Sequence, residues 1–338
     1  METRTPSASD PTARWRTTSL LLAAHAGPFV LGAGVALAVR AAPELAADFQ
    51  PGPLTTWVAD RDADALIGLD EGLFEGKRIS LESPVEAERR SDGGLWAVSA
   101  RESHPLGVHD LLLFGADGNR VAAAVFGPVL DLELSRDDAL VVERTDSSGR
   151  VVRVDAQGTT STVLELATAS CAAGAGSRVA VGTDDGEVWL LELGSAPPTV
   201  LAKRALGGPI GDVRPGPTPG TWWVLDIGAS GRVSLLEPTL ATRWSVATGL
   251  HALHLAPVRG VESVWIADTT QPLARRYGAN GALEIDVSTL PLGGLDRASA
   301  SSDGGVLLIA PGAVLRLDPN GVLLPGQGGF DFLVDLTR

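Results

Sequence analysis

The stretch WIADTTQPLARRYGANG, Trp265 to Gly281, reads as a strand, a polar turn, a second strand and a tight Asn-Gly turn. A close counterpart, WVADRDADALIGLDEG, occupies Trp57 to Gly72. Working outward from this pair, comparable strands begin near Trp96, Val141, Ala180, Trp222 and Leu307, at intervals of 39 to 45 residues. That spacing, about 42 on average, is the length of a four-stranded repeat unit. The turns FGADG, VDAQG, YGANG and LDPNG keep the same beat, ending at Gly118, Gly158, Gly281 and Gly321. Glycine suits them because tight hairpin turns need positive φ. A third register precedes each repeated strand: VEAERRS from 85, VLDLELS from 129, ATASCAA from 167, IGDVRPG from 210, ALHLAPV from 252 and LDRASAS from 295. The strand at Trp57 has no such predecessor, and the unused segment FDFLVDLTR, Phe330 to Arg338, resembles VLDLELS.

Beyond Pro53 no 3.6-residue periodicity is sustained, so the chain is expected to be all-β. Seven repeats with a spare strand at the carboxyl end predict a seven-bladed β-propeller of four-stranded blades over residues 54–338, in which the last strand completes the first blade. Closure of that kind removes an exposed sheet edge.

The first 53 residues read differently. Arg4, Arg14 and Arg16 outweigh Glu2 and Asp10 across residues 1–18, ahead of an uncharged apolar run over 19–39. That run is long enough for one membrane-spanning helix. Ala36-Leu37-Ala38 also fits a signal-peptide cleavage site, so anchor and cleaved signal both stand. Either way the arginines predict an amino terminus inside and a propeller outside the cytoplasm, periplasmic, cell-surface or secreted. Residues 40–53, bounded by proline, read as a linker.

The formal charge of -14 and the lack of a basic run argue against a nucleic-acid partner. Cys171 is the only cysteine, which excludes an intrachain disulfide and any thiolate metal cluster. It lies among small residues, as an inert buried thiol would.

The units WVAD and WIAD, each followed by a polar turn, with YGANG and FGADG, resemble NHL-type propeller repeats, and DGGLWAV, Asp92 to Val98, resembles streptogramin lyase-like propellers. The resemblance covers residues 53–338 at the level of architecture. It implies that ligands or partners meet the channel mouth, and, for gluconolactonase- and paraoxonase-type propellers, a divalent metal held by Asn, Asp and Glu. The only asparagines here, Asn119, Asn280 and Asn320, fall in tight turns, where tolerance of left-handed backbone explains them. No metal and no cofactor is therefore expected.

Candidate binding residues follow from alternation. Asp131 and Glu133 share one strand face, as do Glu86, Glu88 and Arg90. Charges cannot pack between apolar blades, so these side chains are expected to reach water in the channel, with Arg90, Arg214 or Arg297 as counterions. His254 is the one histidine eligible to join them. His251 points to the opposite face, and His104 and His109 fall in a loop expected to be solvated. In TWWVLD, Trp222 and Trp223 should divide, one into the blade core and one outward. With no catalytic constellation complete, the chain reads as a non-catalytic binding or scaffolding module for an envelope or extracellular protein or peptide. The alternative is a metal-dependent lactonase or streptogramin lyase-like enzyme with an acidic channel site.

Overall fold

The computed structural model describes residues 54–337 except 102–106, 146, 147, 196, 230, 289, 291–293, 296, 302, 311, 331 and 332, and the backbone alone of 334–337. The expected amino-terminal segments 1–18, 19–39 and 40–53, and His104, lie outside these residues. Among the described residues no helix is long and apolar enough to cross a membrane.

Seven antiparallel sheets of four strands form the molecule, each built from consecutive strands, with one exception. Blades 2 to 7 begin with inner strands Pro84–Arg89, Val129–Ser135, Ala169–Ala175, Ile210–Pro215, Leu255–Pro257 and Arg297–Ala300. In blade 1 the strands Thr56–Asp60, Ala65–Leu69 and Glu75–Ser80 are joined by Leu333–Thr337 from the other end of the chain, Trp57 facing Thr337 and Ala59 facing Asp335.

The second strand of a blade is buried on both faces, as in Thr56–Asp60, Trp222–Asp226 and Val306–Ala310. That is why these segments read as unbroken apolar runs and not as alternation. Their side chains feed seven apolar clusters, each shared by two successive blades. Leu307, Ile309 and Val314 of blade 7 pack with Val58, Ile67 and Leu69 of blade 1. Trp222 and Trp223 are both buried, Trp222 facing blade 4 and Trp223 facing blade 6. Alternation does divide them, but both faces of the strand are interior, so neither ring points outward.

In Trp265-Ile266-Ala267-Asp268 each end of the motif has a job. Trp96 and Trp265, at equivalent positions, donate Nε1–H to the backbone carbonyls of Asp137 and Gly304, in the first hairpin turn of the next blade (3.0 and 3.2 Å). Asp268, fully buried, accepts from Thr270 N (2.7 Å), Thr270 Oγ1 (2.7 Å), Gln271 N (3.0 Å) and His251 N (3.1 Å). Burial opposes its charge, but these hydrogen bonds outweigh burial and hold the carboxyl below its ordinary value. The tryptophan therefore ties one blade to the next, and the aspartate fixes the loop at the other end.

The repeated turn glycines carry a second constraint besides backbone conformation. At Gly321 φ is +81°, and a Cβ there would sit 2.6 Å from Ile285 Cγ2 on the outer strand of the previous blade. Gly321→Ala is expected to cost the left-handed penalty of about 1–2 kcal/mol and a further amount for the clash. Gly176, at φ +65° with nothing within 4 Å of its would-be Cβ, should show the backbone penalty alone. Urea denaturation of the two variants measures the difference. Among the asparagines only Asn280 adopts positive φ (62°), while the backbone N–H groups of Asn119 and Asn320 bond Asp117 Oδ1 (2.9 Å) and Asp318 Oδ1 (2.8 Å). Tolerance of left-handed backbone therefore explains the asparagine of one turn in three.

Candidate functional site

Each inner strand starts beside the end of its second strand, so the loops before inner strands and those after second strands share one face, the channel mouth. A recurrent backbone bond aligns the blades there: Ala100 N to Ser83 O, Arg144 N to Pro128 O, Asp184 N to Thr168 O, Ile227 N to Pro209 O and Thr269 N to His251 O (2.8–3.0 Å). Three residues after each acceptor stand Glu86, Asp131, Cys171, Asp212 and His254, which are thereby equivalent positions in five blades. In blade 7 Arg297 meets this layer directly, its Nη1 2.9 Å from Glu86 Oε1. Two residues on, Glu88, Glu133, Ala173 and Arg214 repeat the register.

The carboxylates face the channel but not water. Glu86, Asp131, Asp212 and Glu133 are buried, at 6%, 7%, 2% and 7% exposure. This corrects the expectation that they reach solvent, and the physical reason is that the narrow channel supplies partners instead. Arg297 contacts Glu86 and, at 3.6 Å, Glu88. Arg214 forms an ion pair with Glu133, and its Nε lies 3.0 Å from Asp212 Oδ1. Backbone N–H groups of the following blade complete the set: Ala172 N donates to Asp131 (2.8 Å) and Leu255 N to Asp212 (2.7 Å). Arg214 of blade 5 reaches Glu133 of blade 3 past blade 4, which contributes only Cys171 and Ala173 at these levels.

Burial, and after it the neighbouring Asp131, pushes the Asp212 carboxyl well above its ordinary value, and burial likewise raises the Cys171 thiol well above its own. Cys171 is thus a poor nucleophile, in line with its place among small residues. His254 is half-buried, and burial with the charges of Arg297 and Arg214 holds its imidazole well below the usual range. His254 is neutral at pH 7. A histidine whose folded pKa is depressed takes up protons in the unfolded chain first, so its share of stability is lost as pH falls below about 6.5. His254→Leu should therefore flatten the acid side of a melting-temperature profile recorded between pH 7 and 5.

Arg90 does not join the layer. It follows the inner strand at the far end of the channel and pairs with Asp92 at 2.9 Å. His109 is also placed otherwise than expected: it opens the strand His109–Phe114, half-buried, and its Nδ1 accepts from Val129 N at 3.1 Å. His251 is exposed on the mouth face. Asp212 was missed in the sequence, although aligning IGDVRPG with VLDLELS puts its acid in the position of Asp131. Among the described residues no group of three or more His, Cys, Asp or Glu is placed to hold a metal ion. A cavity of ≈ 470 Å³ opens on the mouth face between blades 3 and 4, with Pro128, Thr168 and the ion-paired Arg144 and Asp184 in its wall.

No protein-family profile matches the chain, and no curated protein matches it in sequence. Similarity appears at the level of structure. A functionally unknown protein from Desulfotomaculum acetoxidans superposes with a TM-score of 0.69 at 12% identity, over 83% of this chain and 97% of the other. A putative 6-phosphogluconolactonase from Bacteroides fragilis gives 0.62 at 10% identity, over 84% and 97%. Sqt1 from Chaetomium thermophilum, bound to the N-terminus of the ribosomal protein L10, gives 0.56 at 13% identity, over 75% and 77%. At these identities the likeness establishes the fold, and the chain is a seven-bladed β-propeller of four-stranded blades.

Proposed function

We propose that the chain is a non-catalytic binding module whose partner, a protein or peptide, meets the mouth face of the channel. The observation that carries this reading is the commitment of the channel's charged side chains to one another. Arg214 and Arg297 span blades to hold Glu133, Asp212, Glu86 and Glu88, and Asp131 accepts from the next blade's backbone. These groups, with His254, form a floor beneath the mouth and not an open reaction site. That Sqt1, of similar fold, binds the N-terminus of another protein is in keeping with it. The test is co-purification of the full chain from its native cells, followed by gel filtration, alongside a panel of lactones with calcium or magnesium. Stoichiometric co-elution of one partner without lactone turnover supports the reading. Saturable turnover abolished by chelation would replace it with the enzyme alternative.

Two further elements belong to this proposal. The segment 19–39 exports the propeller, as anchor or cleaved signal, so an alkaline phosphatase fusion after residue 53 should be active; inactivity there, with an active cytoplasmic reporter, would reverse the topology. The carboxyl-terminal strand Leu333–Thr337, beside Thr56–Asp60, is the clasp that closes the ring in solution.

A further inference from the structure

The inner strands carry a feature that the charge network does not explain. In blades 2 to 5 the pairing with the second strand shifts register just before the channel layer, between Pro84 and Glu86, Val129 and Asp131, Ala169 and Cys171, and Ile210 and Asp212. The extra residue at each bulge is Val85, Leu130, Ser170 or Gly211. A bulge re-aims a side chain out of the regular alternation. Ser170 shows the direction, its Oγ reaching across to the carbonyl of Ile210 at the start of the next inner strand (2.7 Å).

At two of these stations, and at the equivalent place in blade 6, the side chain on the rim is apolar and open to water. Leu130 is 43% exposed in blade 3, and Leu253, which stands just before His254 as Leu130 stands before Asp131, is 46% exposed. In blade 5 the bulge residue is Gly211, and Ile227 fills the missing place: a Cβ on Gly211 would lie 2.4 Å from Ile227 Cγ2, and Ile227 is 39% exposed. Exposed leucine is ordinary when scattered. Here it recurs around one opening, at equivalent positions in blades 3 and 6 and at the place Ile227 fills in blade 5.

Among the described residues, the exposed charge of the mouth loops is mostly acidic. Asp62, Glu82 and Asp185 are exposed on the mouth loops together with Arg61. Two other guanidiniums of that face are occupied, Arg101 by Asp110 at 2.5 Å and Arg144 by Asp184.

Resting on the reading as a binding module, we propose that the collar of Leu130, Ile227 and Leu253 is the docking surface and that it takes a polypeptide segment with apolar anchors and flanking lysine or arginine. The apolar side chains seat on the collar, and the basic ones meet the acidic loops outside it.

The probes are short synthetic peptides, capped at both ends, of leucine and lysine spaced by glycine, with versions carrying glutamate for lysine or serine for leucine. Binding to the full chain is measured by isothermal titration calorimetry. The leucine–lysine peptide should bind best, and L130S together with L253S should weaken it by about tenfold at unchanged melting temperature, since both residues are exposed. The pair V121S and V125S, on the outer strand Arg120–Phe126 where Val121 and Val125 are 62% and 59% exposed, should change nothing. The proposal falls if no peptide binds, if the serine version binds as well as the leucine one, or if L130S/L253S binds like the wild type. It also falls if the chain self-associates through a surface that L130S/L253S abolishes, which would give the collar to a second copy. A native partner still co-purifying with L130S/L253S would remove the collar and leave the binding-module reading standing.

Discussion

Replacing Arg214 by alanine is expected to destabilise the propeller by about 3–5 kcal/mol, the cost of leaving buried carboxylates without their cation. Glu133 and Asp212 would stay behind at 7% and 2% exposure, facing Asp131 in the same layer. Thermal denaturation reads the effect directly, and Arg178→Ala is the control. Arg178 pairs with Glu192 at 3.4 Å, and the two side chains are 38% and 32% exposed, so its loss should fall within the about 0–1 kcal/mol of a surface ion pair. Equal melting temperatures for the two variants would mean that the channel is wet enough to screen its charges. For the same reason Asp131→Asn with Glu133→Gln should not be neutral, as water-facing carboxylates would have allowed.

Deleting residues 329–338 should have an effect of similar or larger size. The deletion removes the fourth strand of blade 1 and leaves one edge of Thr56–Asp60, all five residues of it buried, without a partner. Leu333, 4% exposed in the cluster between blades 7 and 1, alone accounts for about 1.5–3 kcal/mol. An open apolar edge is also a template for aggregation. The truncated chain should elute as aggregate or melt far below the full chain. A monomer with an unchanged melting temperature would show that the ring is held without the clasp.

What the sequence made legible, and what it hid, divides along physical lines. The repeat was readable because second strands packed on both faces must be apolar throughout, and because turns pressed against a neighbouring blade admit glycine and little else, as at Gly321. The inner strand Val129–Ser135 was placed to the residue by its alternation of leucine with acid. The strand expected within ALHLAPV is shorter, Leu255–Pro257, because His251 and Asp268 tie the preceding residues into the mouth loop. Burial of the channel acids was hidden, since it depends on which arginine reaches which blade: Arg297 and Glu86 are 211 residues apart. Bulges were hidden too, because a one-residue register shift leaves no compositional mark. Only after alignment by backbone bonds do Leu130 and Leu253 become equivalent.

If, as proposed, a polypeptide partner meets the mouth of the channel, the wall of the cylinder should stay clear of it. Site-specific photo-crosslinking in native cells tests it most directly, with the photoreactive residue placed in the full chain at Leu253 on the mouth or at Val121 on the outer strand of blade 2, both exposed apolar positions. A discrete crosslinked protein is expected from position 253 and none from position 121. Crosslinking from 121 with none from 253 would contradict it and move recognition to the outer wall.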